Sequence, residues 1–148
     1  MNQPTADDGR LQAAVAAALL DSGRVLAHGG HVGALLALLG IVVTAQRGQD
    51  LAAIVFLASL GLWCVHCWLA LRVAIDAALF RVLDADPACL AQFDQWLLDW
   101  GLRKRVTPRP LAERCRAALR IWRRQALSFA LQAALVVAGA LVLTASFY

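Results

Sequence analysis

Three long stretches of the chain carry no charged residue, and stretches that carry charge separate them. These uncharged windows are residues 25–46, 51–71 and 125–148, of 22, 21 and 24 residues. An α-helix rises about 1.5 Å per residue, so ~20 residues cross the ~30 Å hydrocarbon layer of a bilayer. One short chain with three such windows has too little polar surface to bury them all as core helices. We therefore predict an all-α membrane protein with three transmembrane helices and a helical cytoplasmic segment between the second and third.

The composition supports this prediction. The 148 residues are 61% hydrophobic and 16% charged, whereas soluble domains are about half apolar and about a quarter charged. An ordinary soluble domain is therefore excluded, and so is a disordered chain, because too much apolar surface would stay in water. The first 24 residues contain three aspartates and no basic leader, so we predict a cytoplasmic amphipathic segment over 1–24 rather than a signal peptide.

The positions of the basic residues predict the orientation. Two lie in 1–24, one lies in the short connection 47–50, and eleven lie in 72–124. Positive residues stay on the cytoplasmic side, so the N-terminus and 72–124 are predicted to be cytoplasmic, and the turn and the C-terminus periplasmic. The chain is rich in Ala, Leu and Arg and has Lys104 as its single lysine. This composition is typical of a bacterium with a GC-rich genome, which indicates the inner membrane.

The cytoplasmic segment 72–124 is predicted to contain three helical parts. The second helix has no breaker after residue 71 and is expected to continue to about Asp84. Asp86 and Pro87 suit the start of an amphipathic helix, and a last helix is expected to begin near Thr107 and to run into the third span. Residues 10–22 form a weaker amphipathic helix that we expect on the inner membrane surface, with its apolar side formed by Leu11, Val15 and Leu19.

Aromatic and basic side chains in this segment are candidates for contact with a partner or with lipid. A protein contact suits them, because aromatic and arginine residues dominate interface energetics, and anionic lipid headgroups suit the arginines. Alternatively, the arginines only fix the topology and the aromatic residues pack against the last helix or the membrane surface. No nucleic-acid-binding motif is present, so nucleic acid is not an expected partner. The candidates are Phe93, Trp96, Trp100, Arg116, Arg120, Arg123 and Arg124.

One group of residues has the chemistry of a metal site. His28 and His31 share a face of the first span, and Cys64 and Cys67 share a face of the second. All four are expected ~6 to 12 Å inside the inner leaflet, where two imidazoles and two thiols suit zinc or another soft metal. Alternatively, the cysteines act as small buried apolar residues. His66 points away from Cys64 and would suit only an axial haem contact with a first-span histidine.

Small residues recur along two of the spans. Gly29 and Gly33 form a GxxxG pattern, and alanines recur at every fourth position over 126–138. Such patterns let helices approach closely, so they mark a face for self-association or for a partner, unless they only reflect the high alanine content. Gln132 lies well inside the third span, and we expect it to bond a neighbouring helix.

The leading functional hypothesis is an integral, non-enzymatic accessory or scaffold subunit that docks a protein partner, or a second copy, through its cytoplasmic helical segment. The sequence contains no Walker loop, no GxSxG and no HExxH, which are the signatures of common catalytic sites. The alternative is a metal- or redox-active membrane protein that uses the His/Cys site between the first two spans. No cofactor is predicted beyond that metal ion.

Overall fold

The computed structural model describes residues 6–85, 95, 99 and 111–145, and 97% of these residues are helical. Four long helices account for them, and we number them in chain order. They are α1 (Ala6–Asp21), α2 (Gly23–Arg47), α3 (Asp50–Ala85) and α4 (Leu111–Ala145).

The first two helices follow one another directly, with only Ser22 between them. Ser22 keeps helical backbone angles (φ −61°, ψ −22°), and its hydroxyl donates to the Leu19 carbonyl at 2.6 Å. A serine that bonds back into the preceding turn competes with the helical hydrogen bonds. Ser22 therefore divides α1 from α2 without a loop.

A tight turn joins α2 to α3. Gly48 adopts a left-handed conformation (φ 65°), and its N–H donates to the Thr44 carbonyl. A glycine is the residue that ends a helix in this way at little steric cost. Asp50 then begins α3, where its carboxylate complements the partial positive charge of the helix N-terminus. The two helices therefore run antiparallel, as the short connection predicted.

The bundle continues past the spans as an extension, which we define as α1, residues 72–85 of α3 and residues 111–124 of α4. At 36 residues, α3 is about 54 Å long, well beyond the ~30 Å hydrocarbon layer. It packs against each of the other three helices. The predicted continuation of the second helix is confirmed by its end at Ala85, and α4 runs unbroken from Leu111 into the third span, as predicted. The expected start near Thr107, like most of the amphipathic helix expected after Pro87, lies outside the described residues.

The extension has a hydrophobic core of its own. Small residues of α1 pack against Val73, Ala77 and Phe80 of α3 and against Ala118 of α4. The α1 residues in this core are Ala13, Ala16, Ala17 and Leu20. We expected α1 to lie on the membrane surface through Leu11, Val15 and Leu19. These three side chains are exposed, and the opposite, alanine-rich face packs along the extension, because small side chains let the helix approach α3 closely.

A second apolar core lies near the turn end of the spans, around Phe56. Its ring fills the space left by two glycines, since a Cβ atom on Gly40 or Gly139 would come within 2.5 Å or 2.8 Å of a ring carbon. The side chain is 3% exposed. Both glycines are needed for Phe56 to join α2, α3 and α4.

The surface of the spans is apolar. Leu39, Leu57 and Leu141 are each more than half exposed, and at most about a fifth of the most apolar window of each span is buried inside the bundle (17–22%). Exposed apolar surface of this extent is unstable in water but suits lipid. Three helices are long and apolar enough to cross a membrane, and the chain is built as a multi-pass membrane protein.

Candidate functional site

The predicted metal ligands face away from the interior of the bundle. His28 and His31 are exposed, and each bonds through Nδ1 to the carbonyl four residues earlier, at 2.7 Å and 2.6 Å. Carbonyl oxygens only accept, so both Nδ1 atoms carry the proton. Cys64 is exposed and Cys67 half-buried, and both thiols are free. Within the described ranges, no group of three or more His, Cys, Asp or Glu side chains is placed to hold a metal ion.

The histidine that the bundle does bury is His66. Its side chain is fully enclosed, with Nε2 3.1 Å from the Leu26 carbonyl of α2 and Nδ1 3.3 Å from the Ser128 hydroxyl of α4. Because the carbonyl only accepts, Nε2 carries the proton and Nδ1 accepts from Ser128 in the neutral ring. His66 therefore links all three spans, and it is 6.1 Å from the Phe129 ring between centroids.

The absence of a side chain at Gly30 of α2 makes room for this histidine. A Cβ atom on Gly30 would lie 2.5 Å from Cδ2 and 2.7 Å from Nε2 of the imidazole. Real Cβ contacts are not that short, so a glycine at position 30 is what lets α2 approach the ring. The predicted haem contact has no support here, because both ring nitrogens of His66 already have partners.

Two glutamines extend the polar contacts along α4. Gln125 Nε2 donates to the Gly23 carbonyl at 2.8 Å, and Gln132 Nε2 donates to the Gly30 carbonyl at 2.9 Å. The prediction that Gln132 bonds a neighbouring helix is confirmed. We call Gln125, Ser128, Gln132 and His66 the polar row. It occupies the half of the spans nearer the extension, and it excludes water since each member is buried.

The polar row retains unused hydrogen-bonding capacity. The Oε1 atoms of Gln125 and Gln132 are buried without a hydrogen-bond partner among the described residues, and so is the hydroxyl of Ser59. Buried polar atoms without partners weaken a helix contact relative to fully paired ones. The row therefore fixes helix register more than it adds stability.

Sequence reasoning found part of this row. Gln132 was recognised because it is a polar residue inside an apolar span. The contribution of Ser128 and the inward orientation of His66 were not predicted. The available signal was the spacing of Gln125, Ser128 and Gln132 at i, i+3 and i+7, which places all three on one face of α4.

The GxxxG glycines face a helix of the same chain. A Cβ atom on Gly29 would meet Phe129 at 2.7 Å, and one on Gly33 would meet Gln132 at 3.0 Å. The small-residue face of α2 is therefore occupied by α4 rather than left for a second copy. In contrast, Ala130, Ala134 and Ala138 of α4 are exposed.

The extension carries the second candidate site, a groove of about 360 Å³ between α1 and the beginning of α4. Its walls are mainly apolar, and the α1 wall is exposed, with 66%, 51% and 44% of the surface of Leu11, Val15 and Leu19 accessible. The residues that line the groove are Leu11, Gln12, Val15, Ala16, Leu19, Ala112, Cys115 and Leu119.

Of the predicted contact residues, Arg116 and Arg123 each follow a groove residue of α4 by four positions and so lie beside the groove. Arg116, Arg120, Arg123 and Arg124 are all exposed on α4. Asp21 at the end of α1 forms two ion pairs, with Arg24 at 3.7 Å and Arg81 at 3.2 Å. The predicted aromatic contacts Phe93, Trp96 and Trp100 lie outside the described residues.

No known protein family matches this chain, and neither a curated protein nor a solved structure is significantly similar to it.

Proposed function

We propose that the chain is an integral accessory or scaffold subunit of a bacterial inner membrane, which docks a protein partner through its cytoplasmic segment 72–124. The observation that supports this most directly is the extension. A protein that only had to anchor itself would end its helices near the membrane edge, whereas here α1 and the parts of α3 and α4 outside the uncharged windows bury a common core.

The packing of the extension is consistent with one orientation. Because α1 packs against residues 73–80 of α3 and against Ala118 of α4, the beginning of the chain, the end of α3 and the beginning of α4 lie on the same side of the spans. The two charged stretches 1–24 and 72–124 together hold thirteen of the fourteen basic residues. We therefore assign this side to the cytoplasm, with the turn and the C-terminus in the periplasm.

The surface of the extension has the composition of a contact surface. Arginines are enriched where proteins bind one another, because the guanidinium donates several hydrogen bonds in a fixed plane and is less strongly hydrated than an ammonium group. Four exposed arginines of α4 lie on a rigid helix that is held in place by the extension core. This arrangement orients the basic face before a partner arrives, which lowers the entropy lost on binding.

The test is isolation of the full chain from its own membranes in a mild detergent, followed by mass spectrometry and measurement of stoichiometry. We expect a stoichiometric protein partner that is lost with Trp96→Ala, or when Arg116, Arg120, Arg123 and Arg124 are all changed to Gln. Trp68→Ala is the matched control, because Trp68 is exposed at the edge of a span. The multiple Gln variant keeps seven basic residues in 72–124, so its topology should persist. A wild-type chain isolated as a monomer without a partner would contradict the proposal.

A further inference from the structure

The length of the groove and the spacing of the residues along its two walls suit the packing of one more helix. Its α1 wall repeats every fourth residue from Leu11 to Leu19, and its α4 wall follows i, i+3 and i+7 from Ala112 to Leu119. These are the ridges that a helix presents along one face, and a further helix packs between two such ridges. The α1 wall is about 12 Å long, which corresponds to roughly two helical turns.

The groove lies outside the hydrocarbon layer. Leu19 is five residues before Arg24, and Leu119 is five residues before Arg124, so the nearer end is about 7 Å beyond these boundary arginines. A headgroup layer is only about 5–8 Å thick, because it makes up the difference between the hydrocarbon and the whole bilayer. Most of the groove is therefore in water, where an apolar surface needs a protein rather than an acyl chain to cover it.

A basic rim borders the α4 wall. Arg116 follows Ala112 by four residues and Arg123 follows Leu119 by four, so each arginine is the surface neighbour of a wall residue. Arg120 lies one turn after Arg116 and continues the rim. All three are exposed, and no described acidic residue forms an ion pair with them. The charge that complements this rim is negative.

We infer that the groove binds an amphipathic helix of a partner protein, with its apolar side between α1 and α4 and with Asp or Glu residues facing Arg116, Arg120 and Arg123. The inference rests on the proposed docking function and specifies the chemistry of the partner. None of the described residues fills the groove, since Leu11, Val15 and Leu19 stay exposed in this part of the molecule. Helix-in-groove recognition combines apolar anchors with charged flanks in this way.

The first experiment measures binding of a fluorescent synthetic peptide to the purified full chain in detergent. The peptide has leucines at helical spacing flanked by glutamates, and its control has lysines in place of the glutamates. We expect only the glutamate peptide to bind. Val15→Asp should weaken binding at least about tenfold, because it places a charge in an apolar wall. Val82→Asp is the matched control, as the two valines are 51% and 56% exposed on the same extension, and it should leave binding within about twofold.

The rim is tested by a second pair of variants. Arg116→Gln combined with Arg123→Gln should weaken binding of the glutamate peptide by about three- to twentyfold, the range expected for losing two exposed ion pairs. Arg72→Gln removes an exposed arginine of α3 away from the groove and should have little effect. Equal binding of both peptides would overturn the inference. So would a loss of peptide binding with Val82→Asp as large as the loss with Val15→Asp.

A photo-crosslinking residue at position 15 or position 82, in native membranes, identifies the natural occupant. A crosslink from position 15 to an acidic amphipathic segment of another protein, lost on Arg116→Gln with Arg123→Gln, supports the inference. A crosslink to lipid, to any segment of this chain or to a second copy overturns it. Partner crosslinks from position 82 alone would refute the groove but keep the docking function, whereas no protein crosslink from either position would refute both.

Discussion

Replacing Gly30 with alanine should disrupt the contact between α2 and the buried His66. The added Cβ would lie 2.5 Å from a ring carbon of the imidazole, and the ring has no free space because Leu26 and Ser128 hold its two nitrogens. Overpacking of this kind costs about 1–3 kcal/mol, partly offset by the ~1 kcal/mol by which alanine favours a helix over glycine. We expect a net loss of up to about 2 kcal/mol.

Gly61→Ala is the matched control, since a Cβ atom there would meet no atom within 4 Å. It should be neutral or stabilising by up to ~1 kcal/mol. The free energy of unfolding of both variants is measured in mixed detergent micelles by circular dichroism. In a His66→Ala background the added methyl group at position 30 no longer meets the ring, so Gly30→Ala should behave like Gly61→Ala. The coupling between positions 30 and 66 is therefore about 1–3 kcal/mol.

Two results would refute this reasoning. If Gly30→Ala and Gly61→Ala unfold at the same detergent concentration, α2 does not approach α3 as closely as described. If the effects of Gly30→Ala and His66→Ala simply add, the imidazole is not the group that the methyl meets.

Three further predictions follow from the packing and the orientation. Phe56→Ala should destabilise the bundle by about 3–5 kcal/mol in the same unfolding assay, because it empties the slot between Gly40 and Gly139. Gln132→Leu should cost less than about 1.7 kcal/mol, since hydrogen bonds between membrane helices are weak and the change also removes an unpaired Oε1; a larger loss would show a further partner. With the other cysteines replaced by serine, a water-soluble maleimide should label Cys115 in inverted vesicles but not in intact spheroplasts, and the reverse pattern would contradict the assigned orientation.

The sequence predicted the spans well because each is marked by a strong contrast in charge. The first two uncharged windows lie within α2 and α3, and the described part of the third, 125–145, lies within α4. The absence of a helix breaker after residue 71 correctly extended α3. Inside a span this contrast disappears. With apolar residues on every side, periodicity does not show which face turns inward. The metal site was therefore expected between the spans at residues that include His28 and Cys64, which are exposed, and the burial of His66 was not predicted.

The face of α1 that packs in the bundle was not predicted, for a related reason. Leu11, Val15 and Leu19 are larger and more apolar than the alanines, so burial energy alone favours their side. Close packing of helices instead selects the alanine face, which meets Phe80 and Ala77 of α3. A prediction from hydrophobicity ranks side chains by transfer energy and does not include the shape of the neighbouring helix.

The two glutamine bonds of the polar row have a mechanical consequence. Gln125 and Gln132 reach carbonyls of Gly23 and Gly30, so both bonds join residues that are 102 apart in the chain. α2 and α4 run parallel, and the two bonds between them are seven residues apart along each helix. Sliding α4 by one residue breaks both bonds together, and the next matching position, seven residues or about 10 Å away, restores one bond at most. The spans therefore resist sliding along one another, and a force on the extension tilts or turns the bundle as a unit.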